Sequence, residues 1–211
     1  VSGAYGKWHL GLDMSRHPIN RGFDEFYGFM GRGAHPYFDH SDPEHPIYKG
    51  LEPVTDEKGY LTTRITEEAV DFIDRRKDEP FFLYVAYNAV HTPAEAPEED
   101  IKPLTDDPLR NILMAMLMHL DDGVGEIVGK LKDEGLFDNT LLFYLSDNGG
   151  ASAMNANNAP LRGFKQHDYE GGIRVPFIVS WPKELKGGTT CDVPLWSNDI
   201  LPTILAATGQ E

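Results

Sequence analysis

"TLLFYLSDNGG", residues 140–150, decides the fold. Its apolar run does not alternate with polar residues, and it stops abruptly at Asp-Asn-Gly-Gly. A short run of this kind reads as a strand covered on both faces, as in a parallel sheet. "FFLYVAY" (81–87) and "VPFIVSW" (175–181) read the same way. Helical patterns lie between and around them. In 63–76, Ile65, Ala69, Phe72 and Ile73 share one face. In 108–134, Leu109, Ile112, Met116, Leu120, Val124, Ile127 and Leu131 recur every three or four residues. Asp107 before Pro108 is a start signal and Gly135 a stop signal. A last short helix begins near Asp199 and ends before Gly209. The order is helix, strand, helix, strand, long loop, strand, helix. That is the rhythm of a doubly wound α/β domain, a mostly parallel sheet flanked by helices.

The 211 residues suit one sizeable core, so 1–211 is read as part of a single domain. A formal charge of −15 disfavours nucleic acid and anionic membranes as partners, since both need a basic face. No run of eighteen apolar residues exists to span a membrane, and no basic segment followed by an apolar stretch marks a signal peptide. The sequence opens at Val1 in mid-pattern without an initiator methionine, and reads as a processed or cut piece. A lone cysteine, Cys191, excludes an internal disulfide framework but does not fix the compartment. Met114, Met116 and Met118 stand at helical spacing and read as core packing. Residues 12–60 and 149–174 are rich in Gly, Pro, Asn and His without clear periodicity. Loops of that length are functional, or have lost a packing partner.

In open α/β sheets, ligands collect beyond the carboxyl ends of the strands. His91 follows the first apolar run by four residues. Asp147 and Asn148 stand at the tip of the second, so all three are expected on one rim. Asp147 and Asn148 offer hard oxygen ligands of the kind Ca²⁺ or Mg²⁺ accepts, while the same residues also favour an ordinary turn. In "AYGKWHLG" (4–11), an extended chain over 6–10 would point Lys7 and His9 to one side and Trp8 to the other. A lysine and a histidine together suit a tetrahedral oxyanion whose leaving oxygen needs a proton. Lys165 precedes the third strand, so strand order alone does not bring it to the rim. Glu170 and Arg174 read either as a structural brace or as catalytic groups.

Taken together, these segments resemble the sulfatase family of the alkaline-phosphatase-like superfamily. "GKWHLG" (6–11), "HTP" (91–93), "SDNGG" (146–150) and "LRGFK…YEGGIRVP" (161–176) fall in the family's order and approximate spacing. The resemblance runs through the whole chain, which looks like the central portion of a sulfatase catalytic domain, incomplete at both ends. It implies a sulfuric-ester hydrolase in which a formylglycine attacks sulfur and Ca²⁺, or Mg²⁺, orients and neutralises the sulfate. It implies Asp147 and Asn148 as metal ligands, and Lys7 and Lys165 as groups that bind sulfate oxygens. It implies that His91 contacts sulfate or protonates the leaving oxygen, and that His9 assists at the nucleophile. His167 and Asp168, beside Lys165, and His35, Tyr37 and His40 in "HPYFDH" either line a sugar pocket, with His167 binding substrate, or anchor loops.

One departure matters. The family's nucleophile motif, C/S-x-P-S-R, does not occur in these residues. Cys191 stands in "CDVP" and Ser41 in "SDPEH", and neither fits. The expectation is that the formylglycine belongs to a missing amino-terminal segment, that a carboxy-terminal subdomain is also missing, and that the isolated chain is inactive. Two other readings stay open. One is a phosphatase or phosphodiesterase of the same superfamily, although those relatives place a histidine where Asn148 stands. The other is a non-catalytic module that binds sulfate or a glycan. The partner expected is a sulfated small molecule or glycan. By family resemblance the protein is exported: periplasmic, extracellular or lysosomal. Open strand edges and uncovered apolar surface are expected to favour self-association.

Overall fold

The computed structural model describes residues 1–31 and 33–210. Strands β1 (Ser2–Lys7), β2 (Glu25–Phe29), β3 (Ile47–Lys49) and β4 (Glu52–Val54) precede helix α1 (Leu61–Arg76), and strand β5 (Phe82–Ala86) follows it. The five strands form one sheet in the order β4-β3-β2-β1-β5. β1 is parallel to both β2 and β5, and the small strands β3 and β4 add antiparallel pairings on the far side. Ala86, Gly6 and Gly28 lie abreast in register. A Cβ on Gly6, whose φ is +105°, would collide with the Ala86 carbonyl. One on Gly28, with φ +147°, would collide with the Gly6 backbone. Only glycine lets these three strands meet at that row.

α1 forms because Leu61, Ile65, Ala69, Phe72 and Ile73 recur at helical spacing, and all five are fully buried. They pack against β1, β2 and β5. Phe72 sits edge-on to Tyr5 and Phe81, at 5.7 and 5.8 Å between ring centroids. Behind α1 lies α2 (Pro108–Asp133), which starts as its residues prescribe. The Asp107 carboxylate accepts the Leu109 amide at 3.0 Å, and Pro108 fills the first helical position, where no amide is needed. Gly135, at φ +69°, ends that passage of chain. Of the three methionines at helical spacing, Met116 is fully buried. Met118 is half exposed, so core packing does not hold for it.

β6 (Leu142–Leu145) is followed by the short helix α3 (Glu170–Ile173), then β7 (Phe177–Ser180) and α4 (Ile200–Ala207). β6 and β7 pair antiparallel as a separate two-stranded sheet, with Leu142 opposite Ser180 and Leu145 opposite Phe177. This corrects the expectation that all three apolar runs are parallel strands covered on both faces. Phe82 and Tyr84 on β5 and Ile178 on β7 are exposed, because their outer faces and edges carry no partner element among the described residues. The stretch 12–60, without legible periodicity, holds β2, β3 and β4. Two of these are only three residues long.

Candidate active site

The carboxyl ends of β1, β5 and β6 converge. β1 ends at Lys7, and its register with β2 continues through hydrogen bonds from the Trp8 amide to Phe29 O and from the His9 amide to Met30 O. The chain does not stay extended over 6–10, because His9 has φ +56°. The alternation that would set Lys7 and His9 side by side therefore fails at His9. The left-handed residue redirects its ring toward Gly33, where an added Cβ would sit 3.2 Å from His9 Cε1. Trp8 packs against the cluster of Ala4, Phe26 and Met30. Its Nε1 donates to Arg16 O at 2.7 Å, and its ring meets Phe23 edge-on.

His91 stands past β5 on a loop held from below by the buried Tyr37. The Tyr37 hydroxyl lies 2.8 Å from Asn88 O and 3.1 Å from His91 O. His91 Nδ1 faces Thr92 O at 3.1 Å, and Nε2 faces the Lys165 ammonium at 3.1 Å. A lysine ammonium only donates, so Nε2 accepts and the proton of a neutral ring rests on Nδ1. Lys165 arrives from far along the chain because β7 runs antiparallel to β6. The segment before β7 thus lies at the carboxyl end of β6. Its amide donates to Gly150 O at 3.0 Å, and the Gly149 amide donates to Gly172 O at 2.9 Å. Asn158 Nδ2 clamps the carbonyls of Gly150 and Gly163, each at 3.0 Å. A Cβ at Gly149 would strike the Gly171 carbonyl, and one at Gly172 would strike those of His167 and Phe164. The glycines of "SDNGG" and "YEGG" are thus where two backbones touch.

Charge couples the site. Burial lowers the Lys7 ammonium below the usual lysine range. The Asp147 carboxylate opposes that shift and Lys165 adds to it. His9 is lowered first by desolvation, then by Lys7, Lys165 and His91, again with Asp147 opposing. Burial first and Asp147 second raise the Tyr84 hydroxyl on β5. Lys7, His9, His91, Lys165 and Asp147 therefore occupy one electrostatic neighbourhood.

Asp147 makes no hydrogen bond among the described residues, and Asn148 Nδ2 is turned onto Gly149 O at 3.1 Å. As hard oxygen donors, a carboxylate and an amide suit Ca²⁺ or Mg²⁺ in kind, but Ca²⁺ takes six to eight oxygens. Among the described residues no group of three or more His, Cys, Asp or Glu is arranged to hold a metal. His167 is exposed, with its Nδ1 accepting the Phe164 amide at 3.3 Å and its ring 6.5 Å from Tyr169. Its contacts are local to its own loop, and it is not joined to the cluster. His35, Tyr37 and His40 are buried, and the two histidines bond backbone carbonyls, so these three anchor loops. Glu170 and Arg174 form an exposed ion pair at 3.4 Å, the brace. Sequence reasoning missed Tyr37 as the support of His91 and Asn158 as the clamp. Neither stands in a recognisable motif.

The sequence model of the sulfatase family matches residues 1–210. The chain is 34% identical to mouse N-acetylgalactosamine-6-sulfatase over 97% of its own length and 42% of that protein. It is 36% identical to the uncharacterized sulfatase YdeN of Escherichia coli, over 90% of this chain and 34% of that one. Ps i-CgsB, solved alone and in complex with k-i-k-neocarrahexaose, superposes with TM-scores of 0.92 and 0.93. The identities are 40% and 39%, covering 99% of this chain and 51% of that one. A further likeness to the sulfatase PsFucS1 from Pseudoalteromonas sp., at 24% identity and TM-score 0.79, speaks for the fold alone. The chain thus spans about one third to one half of the length of these relatives, and its architecture is alkaline-phosphatase-like. With its motifs, strand-end geometry and nearly full-length match in agreement, the chain belongs to the sulfatase family.

Proposed function

We infer that this chain supplies the anion-binding and proton-handling part of a sulfatase active site, in a protein that removes sulfate from a sulfated glycan. The observation that carries this is the Lys165–His91 contact of 3.1 Å, set among Lys7, His9 and Asp147 where three strand ends meet. Lys165 keeps two further N–H donors for sulfate oxygens while holding His91. Lys7, already crowded by Lys165, gains from any anion that enters between them. A Lys165 ammonium proton, turned from His91 Nε2 to a departing alkoxide, would make Lys165 the general acid and leave its amine neutral, with His91 orienting it. His9, whose imidazole is lowered by burial first and then by its cationic neighbours, is suited to accept a proton at the nucleophile. Asp147 and the Asn148 carbonyl would hold part of a divalent cation's shell. When bound, that cation would supply charge neutralisation of the sulfate.

Neither Cys191 nor Ser41 stands in the family's nucleophile sequence, and Ser41 Oγ is bonded to Asp39 at 2.6 Å. The formylglycine that the family resemblance implies is therefore proposed to come from outside these 211 residues. The same resemblance carries the proposal that the protein is exported. No helix among the described residues is long and apolar enough to cross a membrane. The glycan preference draws support from the likeness to Ps i-CgsB, whose complex holds a neocarrahexaose.

The test is release of inorganic sulfate by the full-length protein from a panel of sulfated oligosaccharides and aryl sulfates, with matched phosphate esters as the control. Sulfate release that Lys165→Ala reduces by about 10²–10³-fold supports the reading. Preferential phosphate release would move the protein to a phosphatase. Binding without any release would make it a binding module.

A further inference from the structure

A cleft of about 710 Å³ opens beside the site, lined by Phe38, Tyr60, Glu95, Glu98, Glu99 and Ile112 among others. That volume is in the range of small-ligand sites. Its floor is rigid. Tyr60 is almost fully buried, stacks on Tyr37 at 5.4 Å, and donates its hydroxyl to Glu95 O at 3.0 Å. Phe38 leans on Tyr60 at 5.1 Å and is 46% exposed, so one large apolar ring faces solvent on a fixed support. One wall is the turn Glu98–Asp100. It is pinned to α2 by Asp100 Oδ2, which accepts from His119 Nε2 at 2.9 Å, and the His119 ring in turn packs on Tyr60 at 4.9 Å. Glu98 and Glu99 are exposed, and their carboxylates have no partner among the described residues. Among the described residues no lysine or arginine lines the cleft, and the nearest cation on that wall is Lys102, whose Nζ donates to Glu99 O at 2.7 Å.

The cleft lies at the same end of the sheet as the Lys7–Lys165 cluster. Tyr60 precedes α1, and α1 runs back to the start of β5, so Tyr60 is near the carboxyl end of β5, where His91 stands. Tyr37 joins the two directly. Its ring stacks under the cleft, its amide donates to Glu95 Oε2 at 2.7 Å, and its hydroxyl touches the carbonyl of His91.

We propose that this cleft is a carbohydrate subsite that takes an unsulfated, hydroxyl-rich sugar ring next to the one whose sulfate is removed. The proposal rests on the sulfated-glycan reading above. An exposed aromatic face packs on the C–H face of a pyranose, and carboxylates accept hydrogen bonds from its hydroxyls. A sulfate in the same place would meet the carboxylates of Glu95, Glu98 and Glu99 against the single ammonium of Lys102, so the cleft selects against it. The cluster and the cleft thus have opposite charge preferences along one glycan chain.

The experiment uses the full-length protein, Phe38→Ala and the Glu98→Gln/Glu99→Gln double variant. The substrates are 4-nitrophenyl sulfate and two sulfated oligosaccharides that differ only in a sulfate on the neighbouring ring. Phe38→Ala is expected to lower kcat/KM on the oligosaccharide with the unsulfated neighbour about tenfold, through KM, and to leave 4-nitrophenyl sulfate unchanged. The double variant is expected to raise kcat/KM on the neighbour-sulfated substrate about tenfold. If Phe38→Ala alters both substrates equally, alters neither, or only lowers Tm, the cleft is a packing surface for protein and the proposal fails. If no sulfate ester is cleaved at all, the functional reading fails separately. The subsite is then read by saturation-transfer NMR with the unsulfated oligosaccharide: transfer lost in Phe38→Ala upholds it, and no transfer to the wild-type protein overturns it.

Discussion

Lys7 and Lys165 are far apart in the chain and share one electrostatic neighbourhood because of two residue-level facts. β1 stops at Lys7, and the backbone contact between Gly149 and Gly171 locks the Lys165 loop against the Asp147 tip. Gly149→Ala is therefore expected to destabilise by about 1–3 kcal/mol, as overpacking does, and to lower sulfate-ester turnover together with stability. Thermal melts and kinetics on the same preparation check this. Arg174→Ala, which breaks only an exposed pair, is expected to cost under about 1 kcal/mol by the same melts. Lys7, His91 and Asp147 were legible in the sequence because each directly follows a strand or sits in a motif. The direction of His9 was not, since it depends on a left-handed φ and a ring seated against Gly33, which no local pattern encodes. His167, adjacent to Lys165 in sequence, makes its contacts within its own loop, because adjacency says nothing about which way a loop turns its neighbours.

The helices were the most legible elements. The faces carrying Ile65, Ala69, Phe72 and Ile73, and the Asp107–Pro108 start of α2, agree with the structure because long periodic segments bury one stripe. Phe72→Ala is expected to cost about 3–5 kcal/mol, read by denaturant titration, since its ring fills the junction of α1 with Tyr5 and Phe81. Where α2 packs on α1, Gly123 faces Thr66 and the Tyr87 hydroxyl, with no room for a Cβ. Gly123→Ala is expected to weaken that crossing despite alanine's better helix propensity, which a drop in denaturation midpoint would report. The strands were harder. β3 and β4 are too short for a period to register, and β6 and β7 mimic parallel-sheet strands while pairing antiparallel. That reversal carries Lys165 to the rim, so the misread strand direction and the unexplained lysine share one physical cause.

At the scale of the molecule, acid acts on buried histidines. Burial holds His17 and His35 below the ordinary imidazole value of 6.5. The unfolded chain therefore binds more protons than the folded one between those lowered values and 6.5, and stability rises with pH across that window. Tm is expected to be lower at pH 5.5 than at pH 7.5. At lower pH, Glu25 adds to the loss. Hydrogen bonds from Arg75, then Arg76, hold its carboxyl at about 2, so the stability it contributes above 4.5 fades as pH falls toward 2. The central claim is that Lys7, His9, His91 and Lys165 form one anion pocket, and NMR of the histidine imidazoles during titration with sodium sulfate tests it most directly. The account predicts that the His9 and His91 resonances move together along one binding curve, and that Lys165→Ala weakens that curve at least tenfold while His17 and His35 stay still. Movement of His9 and His91 on separate curves, or shifts unaffected by Lys165→Ala, would contradict it.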